Sequence, residues 1–250
     1  IGQRGGLAVG PATPLILRGK APVLGWAPPM LPRAGDDLAV RLLDLYQHRD
    51  PALMKSLAAA LETDKMARAN GMNVGGGANP QRMVQVAEGV AKLMAAADGP
   101  RVAALAYEGW DTHANEGGAK GRLATLLAGL DGSFQAFERL LEPVWKDTAV
   151  LVVTEFGRTA RINGTEGTDH GTATVAFLLG GAVKGGRVLA DWPGLRPAAL
   201  FEGRDLRPTT DLRAVLKGVL ADHLGLGANV LAGDVFPDSG AVKPLTGLIA

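Results

Sequence analysis

The chain contains no cysteine among its 250 residues. Disulfide scaffolds, thiolate metal sites and cysteine nucleophiles are therefore excluded. Aromatic residues are sparse, at 5%, and neither sign of charge dominates: 26 Lys and Arg face 25 Asp and Glu, for a net charge of +1. That balance lacks the basic patch expected of a dedicated nucleic-acid binder. Long hydrophobic runs are also missing. The longest, from Thr172 to Val183, is about 12 residues, whereas a membrane helix needs roughly 20. The sequence starts Ile1-Gly2-Gln3-Arg4, with neither an initiator Met nor a signal-peptide pattern. A start removed by processing, cloning or cleavage is the expectation. What is present is ordinary for a globular protein: 47% hydrophobic residues and enough length for a substantial core.

Glycine and proline are plentiful, at 35 and 15, but they punctuate periodic segments and build no repeat. Leu7-Ala8-Val9 and Leu15-Ile16-Leu17 read as short extended pieces, and residues 20–35, with four prolines, as an irregular connection. Three helices follow. One opens at Asp36 with Leu38, Leu42, Leu45 and Tyr46 on a face. The other two start at Asp50-Pro51 and Asn79-Pro80, where a capping side chain precedes proline at the first helical position. The glycine-rich segment Gly71 to Gly77 matches no phosphate loop and reads as a mobile surface loop.

From Arg101 the pattern changes. Val102–Tyr107, Thr148–Thr154 and Val175–Leu179 are apolar enough to be strands buried on both faces, and Gly186–Ala190 reads as a further short strand. Between the first two, residues 122–144 keep one apolar face over six turns. Thr210 is expected to cap a last helix that ends at Gly225. The expectation is a single α/β domain over 1–250, with a helical and irregular half at 1–100. Residues 101–250 would form the core, a mainly parallel sheet sandwiched by helices.

In such sheets, ligands bind beyond the carboxyl ends of the strands. Two of the four histidines fall in the loops that belong there, at His113 and His170. Asp111 and His113 are two apart in a glycine-flanked loop and can converge on one ion. A carboxylate with a neutral imidazole suits zinc, manganese or iron better than magnesium or calcium. Asp169 and His170 are adjacent and should diverge from an extended backbone. Either each serves a different ion, or Asp169 orients a ligand from outside the coordination shell. Glu155 leaves a strand end as a cation anchor, and Arg158 can clamp phosphate or sulfate oxygens; alternatively, the two form a buried ion pair pinning the loop. His170 precedes its strand, which places it at the correct end only if the strand from Val175 runs antiparallel or the loop doubles back; the antiparallel course is preferred. His48 and His223 lie near helix C-termini, where a cation suits the dipole.

The segments Gly109-Trp110-Asp111-Thr112-His113, Thr154 to Thr159, Asn163 to Gly171 and Leu179 to Gly186 resemble the bacterial domain-of-unknown-function 1501 family. The resemblance extends over about residues 7–237. It implies an alkaline phosphatase-like fold and, because relatives commonly leave by the twin-arginine route, a periplasmic or extracytoplasmic location. It further implies two divalent ions, zinc or manganese, held by Asp and His at successive strand ends. On that pattern one ion belongs to Asp111, His113 and His170, and Glu155 to a weaker second position. Phe156 stands where the pattern has a histidine, so one metal position is weakened or Asp169 substitutes. Arg158 would stabilise developing charge. The implied activity is hydrolysis of small anionic phosphate or sulfate esters; the alternative is a non-catalytic exported binding or assembly protein. The pattern's first Asp ligand and its Ser/Thr nucleophile have no match before Val102. The chain is therefore expected to lack the N-terminal strand–helix unit, with an exposed sheet edge and an incomplete active site as the result.

Overall fold

The computed structural model describes residues 5–10, 12–27, 36–72 and 79–250. The architecture is mixed α/β, in two compact units. The first comprises residues 1–111 and 118–141, and the second residues 112–117 and 142–250.

The first unit is built on a parallel sheet of strands β1 (Gly6–Val9) and β2 (Val23–Trp26), helices α1 (Asp36–Arg49), α2 (Pro51–Ala69) and α3 (Pro80–Ala95), strand β3 (Val102–Leu105) and helix α4 (Arg122–Leu140). The strand order is β2-β1-β3. β1 is central and fully buried, pairing Leu7 with Leu24 on one side and with Ala103 on the other. Two readings of this region change. Val23–Trp26 is a strand although prolines frame it, because a parallel partner supplies the ladder. Leu15–Leu17 is a 3-10 turn rather than an extended piece, and it leaves Leu15 and Ile16 exposed.

Helix starts follow the sequence signals. The Asp50 carboxylate accepts from the Ala52 and Leu53 amides at 3.1 and 3.0 Å, and Asn79 accepts from the Gln81 amide at 2.9 Å. α3 and α4 pack closely: Met83, Val86, Ala87 and Val90 of one and Leu126, Leu130 and Phe137 of the other are buried. At Gly129 of α4 a Cβ would stand 2.7 Å from the Pro80 Cα, so only glycine permits that approach. α4 ends at Leu140 and not at Val144; the chain passes into a 3-10 segment, Glu142–Asp147, at Pro143, which has no amide to continue the helix. Met72 is fully buried against Gly89, so the segment from Gly71 is anchored at its start; Asn73 to Gly77 lie outside the described residues.

Tyr107, just beyond β3, ties this layer together. Its hydroxyl donates to the Met83 carbonyl at 3.1 Å and stands 3.5 Å from Ser133 Oγ. Burial pushes its pKa up to about 12, against a smaller lowering by Ser133. An unfolded tyrosine loses its proton near pH 10. The folded state is therefore fully protected below that pH and loses stability as pH rises toward 12. The expected loss is about 1.4 kcal/mol per pH unit over that window. Denaturant unfolding at pH 9 to 12 should show this decline in the wild type. It should be shallower in Tyr107→Phe, which starts about 1 kcal/mol lower for want of the hydrogen bond.

The second unit carries two antiparallel pairs. Strand β4 (Val150–Val152) will pair with the last of four, while β5 (Gly157–Arg158) pairs with β6 (His170–Gly171). The last is β7 (Phe177–Leu179), which runs antiparallel to β4, as preferred for the strand from Val175. Helix α5 (Leu212–Leu224) is capped by Asp211, whose carboxylate accepts from the Arg213 amide at 2.8 Å, one residue later than Thr210. It ends at Gly225 in the left-handed region, as expected. Ala182, Leu248 and Ile249 form the core with Val215 and Val219 of α5. Lys217 on the same helix is buried, and its ammonium donates to the Ser239 and Val242 carbonyls at 2.6 and 3.0 Å, closing the C-terminal segment over the helix.

Three expectations about strands are corrected. Gly186–Ala190 forms no strand: Val188 is 89% exposed and pairs with no strand among the described residues. The mainly parallel sheet is a three-stranded parallel sheet with separate antiparallel pairs. The strands β3 and β4 are half-buried along their lengths rather than buried on both faces. Among the described residues β3 has β1 as its only neighbour and β4 has only β7. No helix of the described residues is long and apolar enough to cross a membrane.

Candidate metal centre

The site is assembled by two short segments, the loop that carries Asp111 and His113 and the ribbon that carries His170. The antiparallel β5–β6 pair sets Gly157 opposite Gly171 and Arg158 opposite His170. Beyond it, the Thr159 amide donates to the Asp169 carbonyl and the Asp169 amide to Thr159 Oγ1, at 2.9 and 3.1 Å. The loop 159–169 is thereby closed at its base. Residues Thr112 to Glu116 lie against its tip. The Asn115 amide donates to the Thr165 carbonyl at 3.0 Å, the Glu116 amide to the Glu166 carbonyl at 2.9 Å, and the Thr168 amide to the Thr112 carbonyl at 3.2 Å. Gly167 makes the approach possible, since a Cβ there would fall 2.3 Å from the His113 carbonyl carbon.

This docking brings the two loop histidines face to face. His113 Nε2 and His170 Nε2 are 3.1 Å apart, with ring centroids 4.8 Å apart. On its other side, His113 Nδ1 stands 3.2 Å from Asp169 Oδ1. A carboxylate only accepts, so Nδ1 carries the hydrogen and Nε2 of the neutral ring presents a lone pair. The adjacent residues Asp169 and His170 thus face opposite nitrogens of one imidazole, the divergence their adjacency implied. Asp111, two residues before His113 along the chain, completes a group. One donor atom from each of Asp111, His113 and His170 lies within 4.8 Å of the others.

The donor set fits a transition metal. Two imidazole nitrogens on one tetrahedral ion at 2.0–2.1 Å would be about 3.3 Å apart, close to the separation found. Two neutral imidazoles with one carboxylate suit zinc, manganese or iron better than a hard oxygen-seeking cation. The Asp169–His113 hydrogen bond is the carboxylate–histidine arrangement that commonly backs a metal ligand. Hydrogen bonds from Asn163 and then from His113 hold the Asp169 carboxyl below its ordinary pKa, so it is ionised at neutral pH and ready to accept.

The remaining expected residues are not among the three donors. Asp169 backs His113 and is not among the three donors. Glu155 is exposed and also outside that group. Arg158 is half-buried, with Nε donating to Thr168 Oγ1 at 2.9 Å and Nη2 to the Thr168 carbonyl; Thr168 in turn donates to Glu116 Oε2 at 2.7 Å. Two of its donors are thus engaged in bracing the loop. Phe156, where the expected alkaline phosphatase-like pattern has a histidine, lies against His170 with ring centroids 4.2 Å apart and a 30° tilt. It steers the imidazole by packing. His48 and His223 sit in the last turns of α1 and α5, and the His48 ring meets the Asp44 carbonyl at 2.9 Å.

Two residues escaped the sequence reading. Asn163 bonds both His113 and Asp169. Arg204 carries a side chain 60% exposed, with Nη2 at 3.4 Å from the His170 carbonyl and Nε at 2.8 Å from Asp205. Asn163-Gly164 carries a visible turn signal, and its place between His113 and Asp169 was the available clue. Arg204 had none, because 34 residues separate it from His170.

Comparison with curated proteins and with solved structures returned no match. A family model does match, over residues 6–234, and so spans nearly the whole chain. With the Asp111, His113 and Asn163–His170 motifs inside the matched region, the chain belongs to the family described as protein of unknown function DUF1501.

Proposed function

We propose that the chain is the metal-binding part of a hydrolase acting on phosphate or sulfate esters, on an alkaline phosphatase-like fold. The observation that supports this reading is the convergence of Asp111, His113 and His170 donors, with Asp169 behind His113. A divalent ion held there would act as a Lewis acid on an ester oxygen. The protein's own residues do the rest. Asp111, His113 and His170 hold the ion, and Asp169 keeps the Nδ1 proton of His113 in place. Phe156 orients His170, and Arg158 braces the loop through Thr168. Arg204, exposed beside His170, is the cation best placed to meet an anionic substrate, with a planar fork suited to its oxygens. An exported, periplasmic protein remains part of the proposal.

A second reading is a non-catalytic binding or assembly protein on the same fold. Phe156 in place of a histidine favours it, since fold alone does not establish activity.

The deciding experiment uses the full-length gene product purified without chelator. Metal content is measured, followed by hydrolysis of a panel of phosphate and sulfate mono- and diesters. About one equivalent of transition metal and an activity that falls at least about 100-fold in Asp111→Ala would support the hydrolase. Bound metal without turnover of any ester would favour the binding protein. Metal-free protein that still hydrolyses an ester would overturn the metal-dependent hydrolase.

A further inference from the structure

Asn163 uses the whole hydrogen-bonding capacity of its amide. Nδ2 donates to the His113 carbonyl at 2.9 Å and to Asp169 Oδ1 at 3.0 Å. Oδ1 accepts from the Thr165 amide at 2.9 Å and the Gly167 amide at 3.0 Å. Thr165 Oγ1 lies 2.7 Å from the His113 carbonyl and 2.9 Å from Asn163 Oδ1, reinforcing the same knot. One side chain therefore holds both ends of the interaction that sets the His113 ring. It fixes the main chain that carries the imidazole and the carboxylate that takes the Nδ1 proton.

We infer that Asn163 is a positioning residue for the metal centre, fixing His113 in the Nδ1–H tautomer with Nε2 aimed at His170 Nε2 before any ion arrives. The inference rests on the metal reading above and adds a source for its preorganisation. The two halves of the amide have separable tasks. The acceptor half builds the turn through Thr165 and Gly167; the donor half reaches the site. Asn163→Asp keeps the acceptor half and the shape of the side chain. It replaces the donor facing Asp169 with a second carboxylate oxygen about 3 Å away, where like charges repel. Asn163→Ala removes both halves.

The test has a metal-free arm and a metal arm, both on the full-length protein. In the apo protein, ¹⁵N shifts of the imidazole nitrogens report the tautomer of His113. The wild type should show Nδ1 protonated, and Asn163→Asp should show a mixture or the opposite tautomer. In the metal arm, Co²⁺ is titrated against a competing chelator. Asn163→Asp and Asn163→Ala should bind about 10–100-fold more weakly than wild type, as is usual when the backing of a ligand is lost, with altered visible absorption bands of the bound ion. A merely structural asparagine would change melting temperature without moving the tautomer. A wild type with Nε2 protonated, or an Asn163→Asp variant with unchanged tautomer and unchanged Co²⁺ affinity, overturns the inference whether or not Asn163→Ala folds. Failure of the wild type itself to bind Co²⁺ would instead overturn the metal reading.

Discussion

Replacing His170 by alanine will weaken binding of Zn²⁺ or Co²⁺ by more than about 100-fold, a greater loss than any substitution behind the ligands. The expectation follows from how the donors are supplied. Asp111 and His113 come from one loop and stand two residues apart, whereas His170 is the sole donor of the group from the second segment. Without it the ion would be held by a short local pair, open to solvent on the other side. Asp169→Ala leaves all three donors and removes only the acceptor for His113 Nδ1, so it should cost about 10–100-fold. Glu155→Gln, outside the group, should leave this affinity unchanged. Stability offers an independent reading of the same order. An ion that binds the folded state alone raises stability by about 2.7 kcal/mol at 100 times its dissociation constant. That increment should be present in the wild type, reduced in Asp169→Ala, and no more than about 0.4 kcal/mol in His170→Ala at the same metal concentration. A His170→Ala protein that keeps the wild-type increment would remove the basis for the centre.

The parts of this site that the sequence disclosed are those with local causes. Asp111 and His113 share one loop, and Asp169 and His170 are adjacent; backbone alternation alone separates the last two. The antiparallel course of the strand from Val175 followed from requiring His170 to reach the loop after β3, and Val150–Val152 pairs with Phe177–Leu179 in that sense. Helix starts at Asp50-Pro51 and Asn79-Pro80 were legible for the same reason, because cap and first turn lie within four residues. What escaped depends on distant partners. Val23–Trp26 needs β1 to become a strand, while Val188 and Leu189 have the residue types of a strand and no strand partner among the described residues. Apolar runs at Val102 and Val150 specify strands but do not specify what covers them, and both are half-buried. Arg158 shows the same limit at the site. Nothing local in the sequence announces its hydrogen bond to Thr168, which the β5–β6 pairing brings close.

Gly157→Ala should be the most damaging single-methyl change near the site, and it should act on fold and metal binding together. Gly157 has no left-handed conformation to protect; the constraint is space. A Cβ built there would stand 1.9 Å from the Ala173 carbonyl oxygen and 2.5 Å from its carbon, and both are main-chain atoms that no rotamer change can clear. Across the pair, a Cβ on Gly171 would meet the Arg158 carbonyl carbon at 2.5 Å. Gly157 thus faces the main chain two residues beyond β6, and Gly171 faces the main chain of β5, with no room for a side chain at either position. Relief requires β5 to draw away from the segment running from β6 to Ala173 by an ångström or more, at a cost of about 3 kcal/mol or above, in the range reserved for backbone clashes and overpacked cores. For a chain of this length that corresponds to a fall in melting temperature of roughly 6–12 °C. The same displacement moves His170, one residue before Gly171, away from a partner nitrogen only 3.1 Å distant. Co²⁺ affinity should therefore collapse along with stability. Gly164→Ala is the matched control: it lies in the loop between the same two strands, and a Cβ there meets nothing within 4 Å. It should melt within about 2 °C of wild type and bind Co²⁺ normally. If Gly157→Ala behaved as Gly164→Ala does, the close pairing of β5 with β6 would not be what holds His170 in place.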